Sequence, residues 1–283
     1  MSAGQRGRAL GIAPAFAWYV LLLLVPLAYI VLVSFCTPQS GWGFSLSFTL
    51  QNYQRLFEPA YLQVFGQSFV VATLATALTL LIGYPFAYFL TRIDHRWRLL
   101  ALVAVELPFF VSSVIRIYGW DILLQSRGVI NAALLAIGAT REPLQLLYTD
   151  GAVLMGTIYT LLPLMVLPLY NSIEKIDGSL LEASRDLGAS AWQAFLDVTV
   201  RNSTPGIVSG CLMVFVPPVG LFYVSDMLGG SQTVLLGNLV KSQFVESHDW
   251  PFGAALAVVM TVATIGLVAL GKRLSKSDQI EVI

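Results

Sequence analysis

Long stretches with almost no charge constrain this chain more than any other feature. One of them, WYVLLLLVPLAYIVLVSF from Trp18 to Phe35, carries no charged residue at all. Runs of about 18 or more apolar residues are the signal for helices that cross a bilayer. Across the 283 residues, hydrophobic types make up 57% and charged types 11%, against about 25% charged in an average soluble domain. A single water-soluble core cannot hide that much apolar surface. The expected class is an all-α integral membrane protein, a single domain over residues 1–283. Six spans are expected by hydropathy, at about 13–35, 66–91, 99–119, 151–172, 205–225 and 251–271. At about 1.5 Å per residue each is long enough for an apolar layer about 30 Å thick.

Arg6 and Arg8 ahead of the first run imitate a signal peptide. The run is longer than a usual h-region, and no small-x-small cleavage site follows it, so it is expected to stay as the first span. With the amino terminus placed inside, the inner segments hold Arg6, Arg8, Arg92, Arg96, Arg98, Lys175, Arg185, Arg201, Lys272, Arg273 and Lys276, which is eleven of the sixteen basic residues. Positive charge marks the cytoplasmic side, so both termini are expected there. In the outer loops, WGFSLSFTLQNYQRLF offers turn residues and aromatics, and RGVINAALLAIGA fits either a short surface helix or an ordinary packed loop.

Net charge is zero, which names no partner and gives no reason to expect nucleic acid. Cys36 and Cys211 are far apart, as are His95 and His248. A metal centre needs several clustered ligands, so none is expected. Gly266-LVAL-Gly271-Lys272-Arg273 falls short of a P-loop, because it closes an apolar span and ends in Arg. Ser172-Ile-Glu-Lys175 fits S-x-x-K without its companion motifs. Neither implies catalysis or nucleotide binding. Gly206-x-x-x-Gly210 fits close packing between helices.

A polar stretch, residues 174–204, separates the fourth and fifth spans. Ser179-Leu-Leu-Glu182 fits a capping box for a helix over about 180–187. Gly188 follows as a left-handed stop. Ser190-Ala-Trp-Gln193 fits a second capping box, for a helix over about 191–200. Thr204 is expected to cap the fifth span, with Pro205 at its first helical position. Leu180, Ala183 and Leu187 share one side of the first helix. Trp192, Phe195, Leu196 and Thr199 share one side of the second. The result is an ordered helix–Gly–helix knob whose apolar sides need something to pack on.

Within the spans, Val216-Pro-Pro-Val-Gly220 should break the fifth helix, because Pro217 and Pro218 remove donors and disfavour helical geometry before them. Broken backbone at membrane depth is tolerated against protein or a water-filled cavity. Glu106, roughly 10 Å into the third span by helical rise, is a costly intramembrane charge and by default functional. Arg116 is placed near the outer end of that span, with Asp121 and Asp226 at the outer rim. Glu106, Asp226, Tyr118, Trp120 and Tyr223 are the residues in and beside the spans that a solute crossing them could meet. They equally suit contacts with a partner subunit or interfacial belts.

Glu182, Ala183, Ser184 and Gly188 resemble the EAA loop of permease subunits of binding-protein-dependent ABC transporters. Ser184 replaces the second Ala, and Val198, Val200 and Arg201 replace the distal I, L and P of that pattern. LPFFVSSVIRIYGWDILLQSRGVIN, LPLMVLPLYNSIEKID, GLFYVSDMLGG and DWPFGAA are similar to the spermidine/putrescine permease family, and to the first of its two related membrane subunits. The likeness covers about residues 15–270. It implies the type I ABC importer permease fold in a bacterial inner membrane, forming half of a translocation pathway. The implied partners are a second permease subunit, two ATPase subunits and a periplasmic substrate-binding protein. It also implies that Glu182, Ala183, Leu187 and Gly188 couple to the ATPase, which would bind the ATP and Mg while this chain holds no cofactor. A permease for another small solute (an opine, an amino-acid derivative or ferric iron) fits the same residues. An ion-coupled carrier would show repeat symmetry and midplane ion ligands, and a membrane enzyme would show clustered His, Asp or Cys. Neither pattern is visible.

Overall fold

A computed structural model describes residues 3–39, 43–230 and 232–274. Lys276 lies outside the described residues, as do the side chains of Arg6, Arg8, Lys272 and Arg273, so their charges are not placed. The architecture is helical: α1 (Ala3–Ser34), α2 (Gln51–Arg55), α3 (Pro59–Arg92), α4 (His95–Glu106), α5 (Ser113–Leu124), α6 (Val129–Ala136), α7 (Asp150–Glu174), α8 (Gly178–Asp186), α9 (Ala191–Ala194), α10 (Thr204–Phe215), α11 (Phe222–Val224), α12 (Leu236–Val245) and α13 (Trp250–Leu274). One two-residue ladder interrupts the helices, with β1 (Thr37–Pro38) antiparallel to β2 (Phe44–Ser45) and Thr37 opposite Ser45.

Among the described residues, α3, α7 and the Trp250–Gly271 part of α13 are long and apolar enough to cross a membrane. Two further candidates are bent pairs: α4 with α5–α6, bent by 92°, and α10 with the segment from Phe222 to Gly229, bent by 63°. The apolar stretch of α1, Trp18–Ser34, is shorter. The unbroken third span expected over 99–119 is therefore corrected. Pro108 supplies no N–H, the chain tightens into a 3₁₀ turn over Leu107–Phe110, and Val111 becomes extended at φ −83°, ψ 140°. Glu106 consequently ends a helix instead of sitting within one.

The chain divides into two compact units. The first comprises the described residues up to Leu62 together with Leu239–Ala263. Within it, buried Asn52 donates from Nδ2 to the carbonyls of Ser34 and Cys36, at 2.9 and 2.8 Å. That bond pair satisfies the carboxyl end of α1, where carbonyls lack partners within the helix. Arg55 pairs with Asp249 at 2.6 Å, and its guanidinium lies 4.0 Å from the centre of the Phe252 ring.

The second unit comprises Gln63–Asn238 and the chain from Thr264 on. It is organised around α7, of whose most apolar window 56% is buried, against 39% for α3. One apolar cluster gathers Val71, Ile117, Val153, Val224 and Leu228, and another gathers Leu90, Met165, Leu169, Ile173 and Val214. Residues of α7 enter both. Small residues bring α10 against α7: a side chain at Gly206 would collide with Ser172 and the Pro168 carbonyl, and one at Gly210 would lie 2.7 Å from the Met165 sulfur. Close approach through small residues is how membrane helices gain packing where lipid gives no hydrophobic drive. Asn131, buried on α6, clamps the chain that follows: it bonds Leu144 through both N–H and C=O, at 2.8 and 2.9 Å.

The contact between α7 and α10 yields a direct test. Gly206→Ala should lower stability by about 1–3 kcal/mol, the usual cost of overpacking. Gly66→Ala on α3, where an added Cβ meets nothing within 4 Å, should be neutral or slightly stabilising. Thermal melts of the two detergent-solubilised variants would show the contrast.

Candidate functional site

Two features concentrate polar chemistry. The first is the knob between α7 and α10. Its opening helix begins earlier than expected. Asp177, not Ser179, is the N-cap, and its Oδ1 accepts from the Ser179 backbone N–H at 2.9 Å. Ser179 is already inside the helix, so the capping box assigned to Ser179 and Glu182 does not form. Asp prevails because its carboxylate is a strong acceptor two residues before the free N–H, and it complements the helix dipole. That bond holds the Asp177 carboxyl below its ordinary range. The cap therefore contributes fully above the ordinary carboxylate pKa and is lost only as pH falls through the lowered one.

The helix ends as a Schellman motif. Gly188 N–H donates to Arg185 C=O at 2.9 Å, and Ala189 N–H donates to Ser184 C=O at 3.1 Å. Gly188 sits at φ +91°, where an L side chain is strained. The second capping box is present in full: Gln193 N–H donates to Ser190 Oγ at 3.3 Å, and Ser190 N–H donates to Gln193 Oε1 at 2.8 Å. Beyond α9 the helix continues as a π-helical stretch, Phe195–Val200. Thr204 is not a cap; it lies in the first turn of α10 and donates to Arg201 C=O at 2.8 Å. The chain is already helical through Arg201 and leaves Thr204 no free N-cap position.

The apolar sides divide between inside and outside. Phe195 is wedged between Tyr84 and Tyr88 of α3, with ring centres 5.9 and 5.2 Å away, and Thr199 is buried. Trp192 stacks on Phe195 yet remains 66% exposed, and Leu187 is 89% exposed. Leu180, Ala183, Glu182 and Leu196 are exposed as well. The knob is thus fastened by one aromatic wedge and presents a second apolar surface outward. Behind it, Arg98 pairs with Glu174 at 2.8 Å and donates to the carbonyls of Thr91 and Ile93. This clasp ties the α3–α4 turn to the end of α7. The sequence displayed Arg98 only as one of the inner charges, and its partner lies 76 positions away.

The second feature is a cavity of about 360 Å³ where both broken helices meet α7. Phe110, Ser112 and Arg116 line it from the α4–α5 break, Thr160 from α7, and Pro217 and Tyr223 from the other break. The Pro-Pro break forms as the sequence implies: α10 ends at Phe215, a 3₁₀ turn covers Pro217–Val219, and Gly220 precedes α11.

Of the five expected pathway residues, Tyr223 alone lines this cavity. Glu106 is half-buried at the end of α4, with Oε1 buried and no hydrogen-bond partner among the described residues. Tyr118 is exposed on α5. Trp120 packs edge-on against Tyr159 at 5.6 Å and joins an apolar cluster. Asp226 accepts a bond from Asn238 Nδ2, which also donates to the Phe222 carbonyl. The structure therefore does not bring the five together. Arg116, which the sequence displayed only by its place near a span end, is the charged group among the described residues that line the cavity. Among the described residues no cluster of three or more His, Cys, Asp or Glu can hold a metal ion.

Comparison with known proteins follows the same outline. Residues 79–276 match the family described as binding-protein-dependent transport system inner membrane component. The chain is 42% identical over 265 residues to the spermidine/putrescine transport system permease protein PotB of Haemophilus influenzae, covering 94% of this chain and 93% of that one. It is 45% identical over 253 residues to PotB of Escherichia coli, covering 89% and 92%. The fold is similar to a chain of a bacterial alginate ABC transporter crystallised with an alginate pentasaccharide-bound periplasmic protein, with TM-score 0.78 at 15% identity and 96% and 95% coverage. The chain belongs to the family of inner membrane components of binding-protein-dependent transport systems, the ABC importer permeases.

Proposed function

We propose that this chain is a membrane-spanning permease subunit of an ATP-driven spermidine/putrescine importer. The observation that carries the reading is identity of 42–45% to permeases of that transport system over about nine-tenths of the chain. In this reading the chain crosses a bacterial inner membrane six times with both termini in the cytoplasm, α1 and the two bent pairs each counting once. A second permease completes the pathway, a periplasmic protein delivers substrate, and two separate ATPase subunits bind ATP and Mg. The chain itself performs no covalent chemistry.

The coupling mechanism follows from the knob. A helix presented to a groove transmits force only if it does not bend where it is held. Asp177, the Schellman turn at Gly188 and the Ser190–Gln193 box fix both ends of the bend. Leu187, Ala183 and Glu182 lie on the outward surface, where a docking groove would meet them. Phe195 and the Arg98–Glu174 pair carry displacement into α3, α4 and α7, whose rigid-body rocking changes access to the pathway. At the helix breaks, aromatic rings and Glu106 offer a polycation contacts that are weak enough to release.

Purification with the ATPase and the delivery protein, followed by uptake measurements across a panel of polyamines, amino-acid derivatives and ferric iron, tests the function. ATP-dependent uptake of polyamines above the other solutes is the expected result. Gly188→Asp should leave insertion intact but abolish most uptake, because a side chain at φ +91° costs on the order of 1–2 kcal/mol and redirects the knob. Normal uptake in that variant would refute the coupling role. Glu106→Gln should weaken polyamine uptake several-fold, while ATP hydrolysis stimulated by the loaded delivery protein persists. Unchanged transport would remove Glu106 from the pathway.

A further inference from the structure

Among the described residues that line the cavity at the two breaks, one side chain is charged, and it has the same sign as a polyamine. Arg116 stands in the first turns of α5, just after the extended residues Val111 and Ser112. Its Nε and Nη1 are buried without a hydrogen-bond partner among the described residues. Its guanidinium carbon lies 5.7 Å from the centre of the Tyr159 ring. The other polar lining groups, such as Ser112, Thr160 and Tyr223, are neutral. A guanidinium does not shed its charge, and a cation near a helix amino terminus adds to the positive end of the dipole instead of cancelling it. The cavity is therefore electropositive and has no carboxylate on its described lining.

We propose that Arg116 is the electrostatic barrier that keeps small cations from leaking through the resting pathway. The inference rests on the transport reading above. A conduit wide enough for a flexible polyamine has no steric means of excluding K⁺ or Na⁺. A fixed positive charge beside a helix amino terminus excludes them by charge, as in other selective pores. Because Arg116 rides on α5 directly behind the 92° break, reorientation of α5 during ATP-driven opening carries the charge with it. The same charge that seals the resting state is then displaced as substrate passes.

The test uses the complete importer reconstituted in potassium-loaded vesicles, without ATP or delivery protein. Efflux of K⁺, chloride and sucrose is followed for each variant. The native chain and Arg116→Lys should retain K⁺. Arg116→Gln should leak K⁺ faster by about tenfold or more, the effect of deleting one poorly screened unit charge, with no rise in chloride or sucrose efflux. Arg116→Cys, in a background lacking Cys36, Cys211 and the partners' cysteines, separates charge from folding. It should leak K⁺, regain tightness with a trimethylammonium thiosulfonate and not with a sulfonate reagent. K⁺ retention in both neutral variants, or equal leakage of all three solutes, would overturn the proposal. The leak assay contains no transported substrate, so failure of the polyamine reading would appear in the uptake panel and not here.

Discussion

Everything in this chain depends on where its backbone hydrogen bonds are satisfied. A segment in hydrocarbon must close its own N–H···O=C ladder, because no water replaces a missing partner. The long helices α3, α7 and α13 stay continuous and meet most of that demand internally, although Pro85, Pro163 and Pro168 each lack a donor. The two broken helices do not, since Pro108 and the Pro217–Pro218 pair remove donors at the points where the chain turns. Both breaks line one cavity against α7. The least self-sufficient backbone of the second unit is thereby gathered in one place, which is where a passage through a membrane protein is most readily built.

Rigidity is distributed unevenly around that place. α7 is gripped by apolar clusters toward both ends, by α10 through Gly206 and Gly210, and by α4 through the Arg98–Glu174 clasp. The knob follows the carboxyl end of α7 and is wedged by Phe195 between Tyr84 and Tyr88 of α3. Under the proposed coupling, such a packed body would convey small shifts at its rim instead of absorbing them.

The sequence disclosed the elements best where a rule is local. The Ser190–Gln193 box, the left-handed Gly188 and the Pro217–Pro218 break each depend on a few neighbouring residues, and all appear in the structure. Competition between adjacent local signals was less legible. Asp177 took the cap that Ser179 also matched, and helical continuity through Arg201 overrode Thr204. A lone Pro108 inside a strongly apolar run was outweighed by hydropathy, which averages over a window and is blind to one missing donor. Long-range chemistry was least legible. Arg98 with Glu174 and the isolation of Arg116 depend on which helices become neighbours, and no spacing along the chain encodes that. The bond from Asn238 to Asp226 crosses a loop and was not legible either.

The bonds that shape the knob join residues at most five positions apart. None of those caps waits for a distant segment. The handle is consequently able to take form while the chain is still emerging from the ribosome, before the next apolar stretch has been made. Under the proposed coupling role, an ATPase arriving later would meet a finished part and lose little entropy in gripping it.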